Sequence, residues 1–259
     1  MAAANAGDVL RVGAHEFRSR LVLGTGKYAD FDVMDAALAA SGTELVTVAI
    51  RRVDLSGAGP NLLERLAGRR ILPNTAGCFD AEQAVRTSRL AREILDTELV
   101  KLEVLYDQAS LYPEPLETLA ALDTLVAEGF TVMVYCGDDP VLAKRYEERG
   151  AAAVMPLGSA IGSGLGILNP LHIERIVARA QVPVFVDAGL GVPSDVAQAM
   201  ELGAAGVIVN TAVARAQDPV AMAHGMRLAC EAGRAGYLAG RAPERPEGAP
   251  SSPVEGVVR

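Results

Sequence analysis

Eight short β-rich runs, each followed by a helical stretch or a glycine-rich loop, recur along the 259 residues. "RLVLG" (20–24), "ELVTVAI" (44–50), "ILPN" (71–74), "ELVKLEVL" (98–105), "TVMVYC" (131–136), "AAVMP" (152–156), "VPVFVDA" (182–188) and "AGVIVN" (205–210) are dominated by strand formers and bounded by turn residues. Between them lie Ala- and Leu-rich segments with helical spacing, among them "DAEQAVRTSRLAREIL", "LETLAALDTLVAEG", "DPVLAKRYEERG", "NPLHIERIVARA" and "PSDVAQAMELG". Several open on Asp, Asn or Ser, whose side chains cap free N–H groups, and close on Gly. Eight βα units in about 250 residues is the length and rhythm of an α/β protein of the (β/α)8 TIM-barrel class. An open doubly wound sheet shares that rhythm. Two details favour closure: no run reads as a polar edge strand, and the Gly-rich loops follow the late strands, whereas a dinucleotide fingerprint would follow the first.

The expected domain spans 1–240. It includes a front piece, "VLRVGAHEFRSRL", that reads as a short N-terminal hairpin turned at Gly13 and suited to plug the barrel floor. The stretch 241–259, rich in Pro, Gly, Ser and charge, is expected to be a flexible C-terminal tail without fixed structure. A formal charge of −8 and the lack of a basic cluster argue against a nucleic-acid partner. No apolar run is long enough to span a membrane and no signal-peptide pattern opens the chain, so a cytoplasmic location is expected. Cys78, Cys136 and Cys230 are odd in number and far apart, which favours buried free thiols over disulfides or a zinc site. His15, His172 and His224 are equally scattered.

The run "ELVKLEVL" poses a sharper question, because it carries Lys101 and Glu103 among strand formers. Residues two apart share a face, so Val100, Leu102 and Val104 point one way and the two charges the other. On a sheet with one wet face the pair would be solvated. In a barrel, Lys101 and Glu103 face the interior, where an unpaired charge is costly; the lysine must then be paired with acid or partly deprotonated. A neutral amine is a nucleophile, whereas a bare Lys101/Glu103 ion pair would carry no chemistry.

The late loops bear on that choice. "PLGSAIGSGLGILNP" (156–170) carries Gly158, Gly162, Gly164 and Gly166 after the sixth run; "DAGLGVPSD" (187–195) follows the seventh and "NTA" (210–212) the eighth. Glycine-rich loop amides can bind anions, and barrels of this class commonly hold phosphate after the last two strands. The same glycines could simply serve tight turns. Asp187, closing the seventh run, offers a second carboxylate or a turn cap. An amine, two carboxylates and a phosphate nest together suit imine chemistry on a small phosphosugar. That description fits an aldolase, an isomerase or a condensing synthase, and a noncatalytic sugar-phosphate-binding subunit also remains open.

The motifs "LGTGKY" (23–28), "VAIRRV" (48–53), "LPNTAGC" (72–78), "AVRTSRLARE" (84–93), "VKLEVL" (100–105), "MPLGSAIGSGLGILNP" (155–170), "VPVFVDAGLGVPSDVAQAMELGA" (182–204) and "VIVNTAVA" (207–214) resemble those of bacterial thiazole synthase, an enzyme of thiamine biosynthesis. The resemblance runs from about Phe17 to about Arg241. It implies that Lys101 forms a Schiff base with C2 of 1-deoxy-D-xylulose 5-phosphate, and that Glu103 and Asp187 move protons as the imine rearranges to a C3 ketone. Substrate-binding positions implied in the same way are Gly162, Ala188, Gly189, Asn210 and Thr211. Also implied are a thiocarboxylated ubiquitin-like sulfur-carrier protein as sulfur donor, dehydroglycine (iminoacetate) as source of carbon and nitrogen, a homotetramer, and neither metal nor organic cofactor.

Arg51 and Arg52, closing the second run, are candidates to attract the carrier's C-terminal carboxylate or dehydroglycine; a solvated pair or a salt bridge to Glu44 or Asp54 is the alternative. The tail is a candidate to close over the mouth. Cys78 and Cys136 invite a sulfur-relay reading, but a carrier that brings activated sulfur makes inert thiols the better expectation.

Overall fold

The computed structural model describes residues 8–53 and 62–252, with the Arg52 side chain outside that set. Two short antiparallel strands, β1 (Leu10–Val12) and β2 (His15–Phe17), form a hairpin turned at Gly13, whose φ is 56°. Eight parallel strands follow: β3 (Leu21–Gly24), β4 (Leu45–Ala49), β5 (Arg70–Asn74), β6 (Leu99–Leu102), β7 (Thr131–Cys136), β8 (Ala153–Pro156), β9 (Phe185–Asp187) and β10 (Gly206–Val209). They pair in the order β8-β7-β6-β5-β4-β3-β10-β9. A parallel bridge between Val154 and Val184 joins the two ends of that order, so the sheet closes into a barrel and the open doubly wound alternative fails.

All eight β-rich runs are strands; six are shorter than the sequence pattern suggests, β7 matches its run, and β5 begins one residue earlier. The helices are α1 (Phe31–Ser41), α2 (Leu62–Arg65), α3 (Ala81–Leu95), α4 (Pro115–Ala127), α5 (Pro140–Glu148), α6 (Pro170–Arg179), α7 (Pro193–Glu201), α8 (Thr211–Ala214) and α9 (Pro219–Ala239). Local chemistry sets many of their starts. Asp30, Asp80, Glu114, Asp139, Asn169 and Asp218 each accept a backbone N–H of the following turn. Proline opens α4, α5, α6, α7 and α9, where its missing N–H costs nothing. Among the described residues no helix is long and apolar enough to cross a membrane.

Period-two alternation along the strands builds the layers. Val100, Leu102 and Val104 pack outward against Val85, Ala121, Leu122 and Leu125 under α3 and α4. Val22, Leu45, Leu72, Leu99, Met133, Phe185 and Ile208 fill the barrel interior, and Leu10, Val12 and Phe17 of the hairpin join that layer from below. The hairpin thus plugs the N-terminal end of the barrel: a Cβ at Gly13 would lie 2.9 Å from Thr131 Cγ2, at the start of β7. Asp8 ties this corner together, accepting 2.7 Å bonds from Arg20 and from Arg234 of α9. The hairpin closes the interior at that end with apolar side chains, and the buried charges Lys101, Glu103 and Asp187 lie toward the C-terminal ends of their strands.

Candidate active site

Lys101 and Glu103 both point inward, as the alternation requires, and are 6% exposed each; Asp187, at the end of β9, is 4% exposed. Lys101 Nζ forms an ion pair with Asp187 Oδ2 and lies 3.8 Å from Glu103 Oε2. Burial alone would lower the lysine's pKa; the Asp187 and Glu103 charges outweigh it and hold the ammonium above the ordinary lysine value. Of the two states open to a buried lysine, paired or deprotonated, the resting protein adopts the first. The amine becomes nucleophilic only when a neighbouring carboxylate takes its proton, and Asp187 is in direct contact to do so.

Three residues that the sequence does not single out complete this centre. Tyr135 on β7 places its ring 5.6 Å from Lys101 Nζ, close enough for a cation–π contact, and burial raises its phenol pKa so that it stays protonated. Thr75 is fully buried and clasps the backbone of residue 103 from both sides: its Oγ1 accepts from Glu103 N and donates to Glu103 O, each at 2.8 Å. Asn74 is the β5 residue in register with Lys101. Tyr135 was legible by period two in "TVMVYC" and Asn74 by its place at a strand end, whereas nothing in the sequence marks Thr75 as the clasp on Glu103.

The glycine-rich loops divide into two roles. Gly158 N donates to Ala188 O at 3.2 Å, and Gly166 N donates to Gly189 O at 2.9 Å. A Cβ at Gly189 would sit 2.5 Å from Ser159 N, and one at Gly191 would sit 2.6 Å from Gly164 O. These glycines therefore let the loops after β8 and β9 lie backbone against backbone. Asp195 fastens them by accepting from Gly191 N and Val192 N at 2.8 and 3.1 Å. Gly162 differs. Its φ is 76°, it is exposed, and a Cβ there would meet only side chains at ordinary contact distance, Lys27 Nζ at 3.6 Å and Thr211 Oγ1 at 3.7 Å.

Ala188 directly follows Asp187 with a φ of 74°, and Gly189 continues at 81°, an abrupt left-handed turn that ends β9 at its carboxylate. Asn210 ends β10 beside Gly24, where a Cβ would lie 2.7 Å from that of Asn210; its buried Oδ1 has no hydrogen-bond partner. Thr211 Oγ1 accepts from Lys27 Nζ at 3.2 Å. Gly162, Ala188, Gly189, Asn210 and Thr211 all follow the C-terminal ends of β8, β9 and β10, the end of the barrel at which Asp187 meets Lys101. They are joined by Lys27, whose motif "LGTGKY" held it in plain view.

The histidines are not brought together: His15 lies on β2, His172 on α6 and His224 on α9. Cys78, Cys136 and Cys230 are free and buried. Burial raises the pKa of all three thiols, that of Cys230 to about 12, which keeps them protonated and unreactive. Arg51 donates to Gly77 O across the β4 and β5 strand ends. Its alternative partner Glu44 is engaged at the opposite end of β4, accepting from Arg18 N at 2.7 Å. Asp54 and the Arg52 side chain lie outside the described residues. Residues 241–252 continue from α9 without helix or strand, and 253–259 fall outside the described set.

The chain matches the family described as thiazole biosynthesis protein ThiG over residues 11–253. It is 58% identical over 257 residues to the thiazole synthase of Chromobacterium violaceum, covering 97% of both chains. It is 57% identical over 255 residues to that of Thioalkalivibrio sulfidiphilus, covering 96% of this chain and 97% of the relative. Among solved structures, a chain of the Amycolatopsis orientalis BexX/CysO complex superimposes with a TM-score of 0.81 at 34% identity, covering 92% of this chain and 98% of that one.

Proposed function

The chain belongs to the ThiG family of thiazole biosynthesis proteins, and from that membership we propose that it builds a thiazole phosphate carboxylate from 1-deoxy-D-xylulose 5-phosphate, dehydroglycine and carrier-borne sulfur. The observation that carries the proposal is the position of Lys101 Nζ, buried at the barrel mouth between Asp187 and Glu103.

The substrate ketone displaces the ammonium's contacts as it enters, and Asp187 takes a proton from Nζ. The free amine adds to C2, water leaves with a proton returned by a carboxylate, and a protonated imine forms on Lys101. That cation withdraws electrons from C3, so Glu103 or Asp187 can remove the C3 proton; reprotonation at C2 then leaves a ketone at C3. Each positioned acid or base step is worth roughly 10²–10⁴-fold. The two carboxylates give the site one base for each proton in transit, and the Tyr135 ring faces the imine cation as it faces the resting ammonium.

Sulfur would arrive as the C-terminal thiocarboxylate of a small carrier protein and attack C3; the C3 oxygen would then take the acyl group, and the carrier would leave as its carboxylate with the sulfur left on C3, after which dehydroglycine adds and the ring closes. A structural relative crystallised as the BexX/CysO complex supports a protein partner at this fold. Gly162, Ala188, Gly189, Asn210 and Thr211 would hold the substrate's phosphate end, and the buried Asn210 Oδ1, which has no hydrogen-bond partner, would accept from a sugar hydroxyl once the side chain turns toward it. A homotetramer in the cytoplasm completes the reading, and light scattering of the purified protein tests the tetramer.

Reconstitution distinguishes this function from its nearest rival, a class I aldolase on the same barrel. With phosphosugar, dehydroglycine and thiocarboxylated carrier together, mass spectrometry should detect the thiazole phosphate carboxylate, and omission of the carrier should abolish it. Carbon–carbon cleavage of the phosphosugar without carrier would overturn the synthase assignment in favour of the aldolase.

A further inference from the structure

Lys27 occupies a backbone conformation that side-chain-bearing residues seldom adopt, with a φ of 73° in the loop between β3 and α1. From there its exposed side chain reaches the end of β10, where Nζ donates to Thr211 Oγ1 at 3.2 Å. Facing both groups is the space left by Gly162, where even a single Cβ would lie 3.6 Å from Nζ. The corner is thus bounded by an ammonium, a hydroxyl and side-chain-free backbone. Among the described residues no carboxylate forms an ion pair with Lys27, although the chain carries 32 acidic residues and a net charge of −8.

Composition sharpens the point. Of the 24 basic residues only Lys27, Lys101 and Lys144 are lysines; all others are arginine. Lys144 pairs with Glu147 on α5, and Lys101 is the buried amine of the centre. A chain that meets nearly every surface need for positive charge with arginine keeps a lysine here, whose compact ammonium can turn from the Thr211 hydroxyl to an incoming anion.

We propose that Lys27 is the cation that receives the substrate's phosphate, acting with the Thr211 hydroxyl over Gly162; this role rests on the phosphosugar reading above. Without ligand the ammonium donates to Thr211 Oγ1. With phosphate present it turns to the phosphate oxygens, and the freed hydroxyl donates alongside it. No bond is made or broken, and in a protein of this net charge the ammonium offsets the repulsion a phosphate dianion would meet at the mouth.

The test compares wild type with Lys27→Gln for borohydride trapping of two ketoses, 1-deoxy-D-xylulose 5-phosphate and 1-deoxy-D-xylulose. Lys27→Gln should raise the half-saturating concentration of the phosphosugar roughly 10- to 100-fold, as expected for one lost charge-assisted contact, and leave the unphosphorylated sugar unchanged. An equal effect on both sugars, or none on the phosphosugar, overturns the assignment. A phosphorus NMR titration with inorganic phosphate needs no imine, so it judges Lys27 even if trapping fails with every sugar. Wild type should bind about tenfold or more tightly than Lys27→Gln, and equal affinity, or no binding by either, overturns the proposal. Lys27→Gly, which relaxes the φ, should lose phosphate affinity to the same degree while melting at or above the wild-type temperature. Loss of stability together with affinity would make Lys27 a structural residue instead.

Discussion

Lys101 and Asp187 form an ion pair inside the barrel although β6 and β9, which carry them, are not neighbours in the sheet. Closure of the barrel alone brings them together, and it does so where water is largely excluded. Glu103, at 3.8 Å, makes the cluster a lysine with two carboxylates, one more negative charge than positive. That excess keeps the resting lysine protonated and supplies the base that can release it.

Asp187→Asn should move the amine's titration. Asp187 is the largest influence raising the Lys101 pKa against burial, so its loss leaves Glu103 alone to oppose desolvation and the pKa falls. A raised lysine pKa means that the free amine appears only as pH climbs. In the variant, the rise of borohydride-trapping rate with pH should therefore begin at lower pH than in wild type. Turnover at neutral pH should still drop roughly 10²-fold or more, because a positioned base is gone. An unshifted pH profile would mean that Asp187 does not set the state of the amine.

Lys101→Ala should be destabilised. Removal of one partner of a buried pair costs about 3–5 kcal/mol, because the ammonium that faces the buried Asp187 and Glu103 is gone. Denaturant melts of wild type and variant at neutral pH measure it, and equal stability would mean that the pair contributes nothing to the fold.

Gly189→Ala and Gly162→Ala should part company. The first drives a Cβ to 2.5 Å from Ser159 N and should cost several kcal/mol of stability, about as much as severe overpacking. The second meets nothing nearer than 3.6 Å; its backbone strain costs about 1 kcal/mol, and its main effect should be on phosphosugar affinity. Urea melts set beside ligand titrations separate the two.

Thr75→Val keeps the volume of a fully buried side chain but removes both hydrogen bonds to the backbone of residue 103. A stability loss of about 1–3 kcal/mol is expected for the groups left unpaired. Because Glu103 lies one residue beyond β6, turnover should fall further than the stability loss alone explains.

Much of this was legible in the sequence because it depends on short-range periodicity. The alternation in "ELVKLEVL" placed Lys101 and Glu103 inside once a barrel was assumed, and Gly13 marked the hairpin turn. The pairing of Lys101 with Asp187 was not legible, since it depends on barrel closure. Nor was the division of labour among the glycines: Gly189 and Gly191 are needed for contact between loops, which only the packing reveals, while a Cβ at Gly162 would meet only the side chains of Lys27 and Thr211. Lys27 escaped notice for a related reason, because its importance lies in contacts with Thr211 and Gly162 from the far end of the chain. The reading of Arg51 as a candidate partner for Glu44 failed because the two residues sit at opposite ends of β4.

The most direct test of the central claim is borohydride reduction in the presence of 1-deoxy-D-xylulose 5-phosphate, followed by peptide mass spectrometry, on wild type, Lys101→Ala and Lys101→Arg. Lys101→Arg keeps the buried positive charge but cannot form an imine. A reduced sugar adduct on the Lys101 peptide of wild type, absent from both variants while Lys101→Arg remains folded, is the expected result. A wild-type protein that binds the phosphosugar yet yields no adduct, or an adduct that persists in Lys101→Arg, would contradict it and leave Lys101 an electrostatic residue.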